Sequence, residues 1–391
     1  MNQAYYWCYP WDLEDEGTDT ALGRMAGEIG VDAVSVAAIL PALTAFRARA
    51  VKGPRTIHRE AAAHFQPSAE CYSNTRLRPA AAAWMKSRNP MERITQACGA
   101  HGLKPRAWAV CCENRTLAAR HPMAACVDVF GDPIPGRLCP SNADVREYVA
   151  ALAADLTTHY PLDALELEAA DFGGPSDQFQ YKIGVDIGPI GRGLANWCFC
   201  PACWQRAEDV DIDVASVQRN ILAILEPLLR LEPTRHTTFG DVLSEYAELA
   251  AYHRMRCESV RSLIKSVRRR TEARLLLHIP TNVWVSGADV ATLGAHCDGF
   301  IASPGRGDAH ASPLARAESL ARACEAVERV EVGLSCYPPL CRDGPALVMA
   351  VHQASQQGYG AIGFSNYGLT PQPCLDWVRQ AIRYARRESR A

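Results

Sequence analysis

The stretch Arg274-Leu275-Leu276-Leu277-His278-Ile279 is apolar at consecutive positions. Side chains alternate between the two faces of a strand, so a strand with this sequence is apolar on both. That suits a parallel sheet covered by helices rather than a sheet with one wet face. Working outward from it, similar short β-rich runs occur at Ala4–Tyr9, Ala33–Ile39, Pro105–Cys111, Ala164–Glu168, Gly299–Ala302, Val330–Ser335 and Ala361–Ser365. Amphipathic helical patterns lie between them, for example Thr20–Ile29, Ala143–Thr158, Leu249–Arg269 and Pro345–Gln357. Gly30 follows the first of these, and Gly358 and Gly360 follow the last, where helices commonly stop. Eight strands alternating with helices predict an α/β fold of the (β/α)8 TIM-barrel type. A doubly wound open sheet is the competing arrangement. It calls for a glycine-rich phosphate turn after an early strand, and the sequence has none.

The chain's 391 residues are 48% hydrophobic and 21% charged, with a formal net charge of −2. Disorder would need fewer apolar residues and a larger imbalance. Although the length would allow two or three domains, barrels often exceed the usual domain size. The expectation is one barrel over residues 1–391, with long insertions after the second strand (Pro41 to Met91) and the fourth (Gly173 to Ala207). Both insertions fall on the rim where barrels keep their chemistry. The near-neutral balance argues against nucleic acid or an anionic membrane as partner. The basic run from Arg261 to Arg270 reads as the solvated face of a long helix. Apolar stretches such as Val31 to Leu43 fall short of the roughly 20 residues a spanning helix needs. Met1-Asn2-Gln3-Ala4-Tyr5 does not look like the start of a secretory signal, so the expected location is cytoplasmic. Whether the chain forms a homo-oligomer is left open.

Sixteen cysteines are many for such a chain, and in that setting they read as reduced thiols, some of them on a metal. Cys198-Phe199-Cys200-Pro201-Ala202-Cys203 sets three thiols within six residues. Thiolates so close repel one another unless they share a soft cation, and tetrahedral zinc is the usual solution. The fourth ligand comes from elsewhere: Cys139 first, then Cys112 or Cys111. Four thiolates leave no open position, so the expected zinc is structural, within the inserted loop 173–207.

In Leu162-Asp163-Ala164-Leu165-Glu166-Leu167-Glu168-Ala169-Ala170-Asp171-Phe172, the leucines share one strand face and Glu166 and Glu168 the other. In a barrel the leucines face the helices and both glutamates the interior. Glu168, nearer the strand's C-terminal end, reaches the mouth; Glu166 lies a layer deeper. An ionised carboxylate there is costly unless partnered. Asp171 and Glu113 are nearby acids that could act with Glu168. Other polar or aromatic residues at strand ends are candidate ligand contacts: Trp7, Tyr9, Trp11 and Asp12 from the first strand, Trp108, Glu113 and Asn114 from the third, His278, Asn282 and Trp284 from the fifth, Cys336 and Tyr337 from the seventh, and Asn366 and Tyr367 from the eighth. Aromatic faces stack on sugar rings, while amides and carboxylates bind hydroxyls. Together they point to a carbohydrate.

Lys104-Pro105-Arg106-Ala107-Trp108, Glu113-Asn114, His121-Pro122, Leu138-Cys139-Pro140-Ser141-Asn142, Val145-Arg146-Glu147-Tyr148 and Leu162 to Glu168 together resemble the barrel core of glycoside hydrolase-like proteins. The likeness covers about residues 100 to 205. The cysteines are also similar to those of zinc-containing bacterial β-galactosidases, which implies a zinc set of Cys139, Cys198, Cys200 and Cys203. The resemblance implies a glycosidase with Glu168 as a catalytic acid. It departs at the seventh strand, where retaining relatives keep a second glutamate and this chain reads Gly333-Leu334-Ser335-Cys336-Tyr337-Pro338. The second acid must then be Asp171, Glu113, Asp12 or a loop residue such as Asp308. The alternatives are a carbohydrate-binding barrel without catalysis, or a sugar isomerase or epimerase. The last would want several metal-holding carboxylates and histidines at successive strand ends, which the later strands lack.

Overall fold

A computed structural model of the chain describes residues 2–173, 185–232, 234–280, 283–303 and 312–388. Asn282 and Asp308 lie outside the described residues, as does part of the insertion after the fourth strand. Eight parallel strands close into a barrel: β1 (Ala4–Cys8), β2 (Ala33–Leu40), β3 (Lys104–Val110), β4 (Ala164–Glu168), β5 (Arg274–His278), β6 (Gly299–Ala302), β7 (Val330–Ser335) and β8 (Ala361–Ser365). Each pairs with the next, and β1 also pairs with β8 through Ala4↔Ile362, which closes the ring. Helices such as Ala143–His159 and Ala247–Arg268 alternate with the strands, so the fold is a (β/α)8 barrel.

The strand parity expected from sequence sets two apolar layers. Cys8, Val36, Ala109, Leu165, Leu167, Leu275, Leu277 and Phe364 pack outward in the core shared with the helices. Tyr5, Trp7, Tyr9, Trp108, Leu276 and Ile301 pack inward in a separate cluster. Leu165 and Leu167 are buried, and each full leucine burial is worth about 1.5–3 kcal/mol. A one-residue slip of β4 would turn both inward and drive Glu166 into the outer core, so the leucines fix the register that aims the glutamates inward. On β8, Gly363 leaves room for rings: a Cβ there would come within 2.5 Å of Tyr5 and 2.7 Å of Trp7.

Some elements differ from the sequence expectation. A short helix, Pro10–Glu16, comes first; the helix expected over Thr20–Ile29 begins at Thr18 and continues as a π-helix over Arg24–Ile29, ending at Gly30 with φ 88°. The insertion after β2 is built rather than irregular. It carries an antiparallel hairpin, Leu43–Phe46 with Thr56–Arg59, and the short strand Ala62–Ala63, which pairs with the end of β2. A second hairpin, Ala125–Val127 with Pro133–Leu138, follows β3 and leads to Cys139. No helix among the described residues is long and apolar enough to cross a membrane.

Candidate active site and cysteine cluster

The barrel interior is charged. Arg106 is fully buried, with its Cζ 3.8 Å from the centre of the Tyr5 ring. Its Nη2 donates to Glu331 Oε2 at 2.7 Å, and its Nε lies 2.7 Å from Glu166 Oε1. Arg274 Nη2 reaches the other Glu331 oxygen at 2.9 Å. Glu166 Oε2 accepts from Trp7 Nε1 at 2.7 Å and from His278 Nε2 at 3.1 Å. Burial alone would raise the Glu166 carboxyl, but the Arg106 charge, then the His278 and Trp7 donors, bring it down to about 2. It is therefore ionised and fully committed. His278 donates an Nε2–H hydrogen bond to that carboxylate. Its Nδ1 is hydrogen-bonded to the Ser303 hydroxyl, 2.5 Å away.

One layer up, Glu168 is half-buried at the mouth, and its Oε2 accepts from Trp108 Nε1 at 2.6 Å. From Trp108 a run of rings crosses the rim. Tyr9 stacks on Trp108 at 6.0 Å between centroids, and Trp11 stacks on Tyr9 at 4.7 Å. His64 and Trp84, from the insertion after β2, meet Trp11 edge-on at 5.0 and 6.2 Å. The Arg59 guanidinium lies 5.5 Å from the Trp11 ring and 5.9 Å from that of Trp84.

The other acids fall into two groups. Asp171 and Glu113 both face Arg137, whose Nη2 is 3.6 Å from Glu113 Oε2. Asp171 accepts from Gly173 N at 2.6 Å, yet burial outweighs Arg137 and that hydrogen bond and pushes its carboxyl up to about 6. Asp12, on the other side of the mouth, is also raised to about 6 by burial against the pull of Arg47, whose Nε is 2.5 Å from its Oδ1. Its other face lies on Gly368, where a Cβ would be 1.7 Å from Oδ2.

The structure thus gathers Trp7, Glu166 and His278 in one interior network, and Glu168, Trp108 and Trp11 along one wall of the mouth. It does not bring every candidate there. Asn114 caps the helix Arg115–Arg120, accepting from Leu117 N at 2.9 Å. Trp284 stacks on Phe239 at 4.0 Å and lies across Gly193, within the outer core. Asn366 is buried, its Oδ1 taken by Gly368 N at 3.1 Å and its Nδ2 without a hydrogen-bond partner among the described residues. Tyr337 is half-buried beside β7, its carbonyl accepting from Ser335 Oγ. Tyr9, a first-strand candidate, takes its place in the wall, whereas Arg59, His64, Trp84 and Ser303 were not among the candidates. Ser303 could have been found from strand parity, since it shares the inward phase of Ile301; the others sit at the rim through long-range pairing that no local pattern announces.

The sulfurs of Cys139, Cys198, Cys200 and Cys203 lie within 4.8 Å of one another, all buried. Cys139 and Cys203 are 3.5 Å apart, Cys139 and Cys198 3.8 Å. Cys139 comes from the second hairpin's exit and the other three from the insertion after β4, so the cluster joins two separate segments. The fifth buried thiol of Cys126 abuts it. The fully buried Arg256 stacks on Trp197 and Phe172 at 4.8 and 4.5 Å and adds a positive charge beside the group. Four gathered thiols of this kind can hold a metal ion.

The closed (β/α)8 barrel is similar in fold to several solved structures, glycoside hydrolases among them. The catalytic domain of the β-amylase from Paenibacillus polymyxa matches over 97% of this chain and 97% of its own, with TM-score 0.58 and 12% identity. The PgaB (BpsB) glycoside hydrolase domain from Bordetella bronchiseptica matches over 97% and 99%, with TM-score 0.57 and 13% identity. The β-galactosidase from the psychrophilic Marinomonas ef1 matches over 97% of this chain and 59% of that one, with TM-score 0.54 and 11% identity. At such identities the likeness is one of fold. No family model matches the sequence, and no curated protein matches it.

Proposed function

We propose that the protein is a glycoside hydrolase acting on a carbohydrate at the C-terminal mouth, with Glu168 as the principal catalytic carboxylate. The observation that carries this reading is the pair Glu168–Trp108. A carboxylate at a strand end, oriented by an indole N–H at 2.6 Å, stands where the aromatic wall of Trp108, Tyr9 and Trp11 begins. A ring stacked on that wall would bring a glycosidic carbon toward Glu168, which can attack it or pass a proton to the leaving oxygen. Asp171 is the second acid we favour. Its carboxyl, raised to about 6, suits a group that must hold a proton near neutral pH and give it up. Glu113 shares Arg137 with it and helps set its charge. Glu166 serves instead to hold Trp7 and His278 in place.

A second reading, carbohydrate binding without turnover, is favoured by the ends of β5 and β7, where His278 and Ser335-Cys336 stand and no carboxylate does. Turnover of a panel of aryl glycosides separates the two. Under the first reading Glu168→Gln lowers turnover at least about a hundredfold, the lower end of what a positioned acid–base group contributes, with the melting temperature unchanged. Near-normal activity in that variant would refute the assignment. Sugar binding with no turnover would favour the second reading, and dependence on added manganese or magnesium would point to an isomerase.

We read the chain as one barrel unit whose 173–207 loop bears a structural zinc on Cys139, Cys198, Cys200 and Cys203. Zinc–sulfur bonds of about 2.3 Å in a tetrahedron give sulfur–sulfur edges near ~3.8 Å, and the separations of 3.5 and 3.8 Å suit that size. Bound there, zinc would supply a cross-link and no reaction step. All sixteen cysteines are free thiols, in keeping with a reducing, cytoplasmic setting.

A further inference from the structure

Beyond Glu168 the aromatic wall ends in a group of hydrogen-bond donors that nothing in the proposed chemistry uses. His64 is 1% exposed and Trp11 5% exposed. The Trp84 indole donates to His64 Nδ1 at 3.2 Å, so the neutral ring carries its proton on Nε2. Burial, with Arg59 adding to it, holds the His64 imidazole down at about 3, in keeping with that neutral form. That Nε2, the Trp11 Nε1 and the Arg59 Nε are each buried without a hydrogen-bond partner among the described residues. A buried donor left unmade is costly, about 1–3 kcal/mol each, so three in one place ask for an acceptor.

Charge points the same way. Arg47 is held by Asp12 and Asp15 at 2.5 and 2.8 Å, and Arg88 by Glu14 at 2.8 Å. Arg59 has no ion-pair partner among the described residues; its Nη1 only reaches the His58 carbonyl at 3.2 Å. The nearest acid it feels, Asp12, is already spent on Arg47 and packed on Gly368. A subsite for a neutral sugar would mix donors with acceptors, because each hydroxyl is both. This one offers donors, one unspent guanidinium and the half-exposed ring of Trp84.

We infer that Arg59, Trp11, His64 and Trp84 form a subsite for an acidic sugar, a hexuronic acid whose ring lies against the half-exposed Trp84 and whose carboxylate takes the guanidinium and the N–H groups of Trp11 and His64. One guanidinium with two neutral donors balances a monoanion; a phosphate dianion would be left half-neutralised. A planar carboxylate also matches the guanidinium fork. Two stacking steps, Trp108 to Tyr9 and Tyr9 to Trp11, separate this subsite from Glu168, so the acidic unit would neighbour the bond being cleaved. The inference rests on the reading of the mouth as a carbohydrate site, but not on turnover.

The test is calorimetric or NMR titration of the intact protein with D-glucuronate and D-galacturonate against D-glucose, D-galactose and glucose 6-phosphate at low salt. The expected result is that at least one uronate binds about tenfold or more tighter than its neutral hexose and tighter than the phosphate, as one charge-assisted contact allows, and that added salt erodes the difference. Arg59→Gln should abolish the preference and Arg59→Lys keep part of it; both side chains sit at a half-exposed rim position, and an unchanged melting temperature checks the fold. Equal binding of hexose and uronate, tighter binding of the phosphate, no binding of either sugar at tens of millimolar, or a preference that survives Arg59→Gln would each overturn the inference. Turnover of neutral aryl glycosides together with any of those results would overturn the acidic subsite and leave the hydrolase reading intact; uronate preference without turnover would do the reverse.

Discussion

Replacing Glu166 by Gln keeps the shape of the side chain and removes the charge that Arg106, Trp7 and His278 converge on. The carboxyl is brought from an ordinary value of 4.5 to about 2. Each unit corresponds to about 1.4 kcal/mol, so the charged form contributes on the order of 3 kcal/mol. Removing one partner of a buried ion pair typically costs about 3–5 kcal/mol, which agrees. Unfolding entropy near ~2.1 cal/mol/K per residue gives about 0.8 kcal/mol/K for this length. The melting temperature should therefore fall by roughly 4 °C. The sign of the pH dependence follows from the lowered value. The contribution is present in full above the unfolded carboxyl's range, near 4.5, and is lost as pH falls through about 2. Scanning calorimetry of wild type and Glu166→Gln at pH 7 and in acid measures both. A melting temperature within a degree of wild type at pH 7, with turnover abolished while Glu168→Gln stays active, would refute the division of labour between the two glutamates.

The remaining expectations concern the metal and the second acid. The purified protein should carry about one zinc per chain by elemental analysis, and Cys200→Ser should lower its thermal stability without changing substrate preference, because a closed site contributes folding energy; carefully reduced protein free of zinc would sink this reading. Asp171, with its carboxyl raised to about 6, contributes stability that is complete below about pH 3.8 and lost as pH rises through 6. Asp171→Asn should remove about 3 kcal/mol of the wild-type stability change between pH 4 and 7, and identical pH–stability curves for the two proteins would exclude that role.

The barrel was legible because its strands leave local marks. Leu275-Leu276-Leu277 is apolar on both faces, and the alternation of Leu165 and Leu167 with Glu166 and Glu168 fixes which way each points. From sequence Cys139 is the first choice for the fourth ligand, ahead of Cys112 and Cys111, a choice the resemblance supports, and its sulfur does lie with those of the later cysteines. What the sequence hid depends on distant pairing. The hairpin Leu43–Phe46 with Thr56–Arg59 has no strong alternation, yet it carries Arg59 to the rim. His64 and Trp84 reach Trp11 only because Ala62–Ala63 joins the end of β2. Asn114 looked like a ligand contact at a strand end, but three residues on a backbone N–H needed a cap, and the side chain went there. Trp284 was drawn from the mouth by the flat face of Phe239 and the bare backbone at Gly193.

The charged core of the barrel also constrains how this sequence can drift. Arg106 and Arg274 carry two positive charges, Glu166 and Glu331 two negative ones, and the chain runs Arg274–Glu331–Arg106–Glu166 without a break. The set is electroneutral, and so is each adjacent pair. Losing Arg106, Glu166 or Glu331, all fully buried, leaves a partner's buried charge unmatched, so single steps there are selected against while joint replacements, such as two partners becoming apolar together, can be tolerated. Partnered positions should accordingly change together across homologues, each pair both charged or both neutral, although the partners lie on different strands. Pairs with a single buried charge should be scarce, which would make the interior a record of linked change.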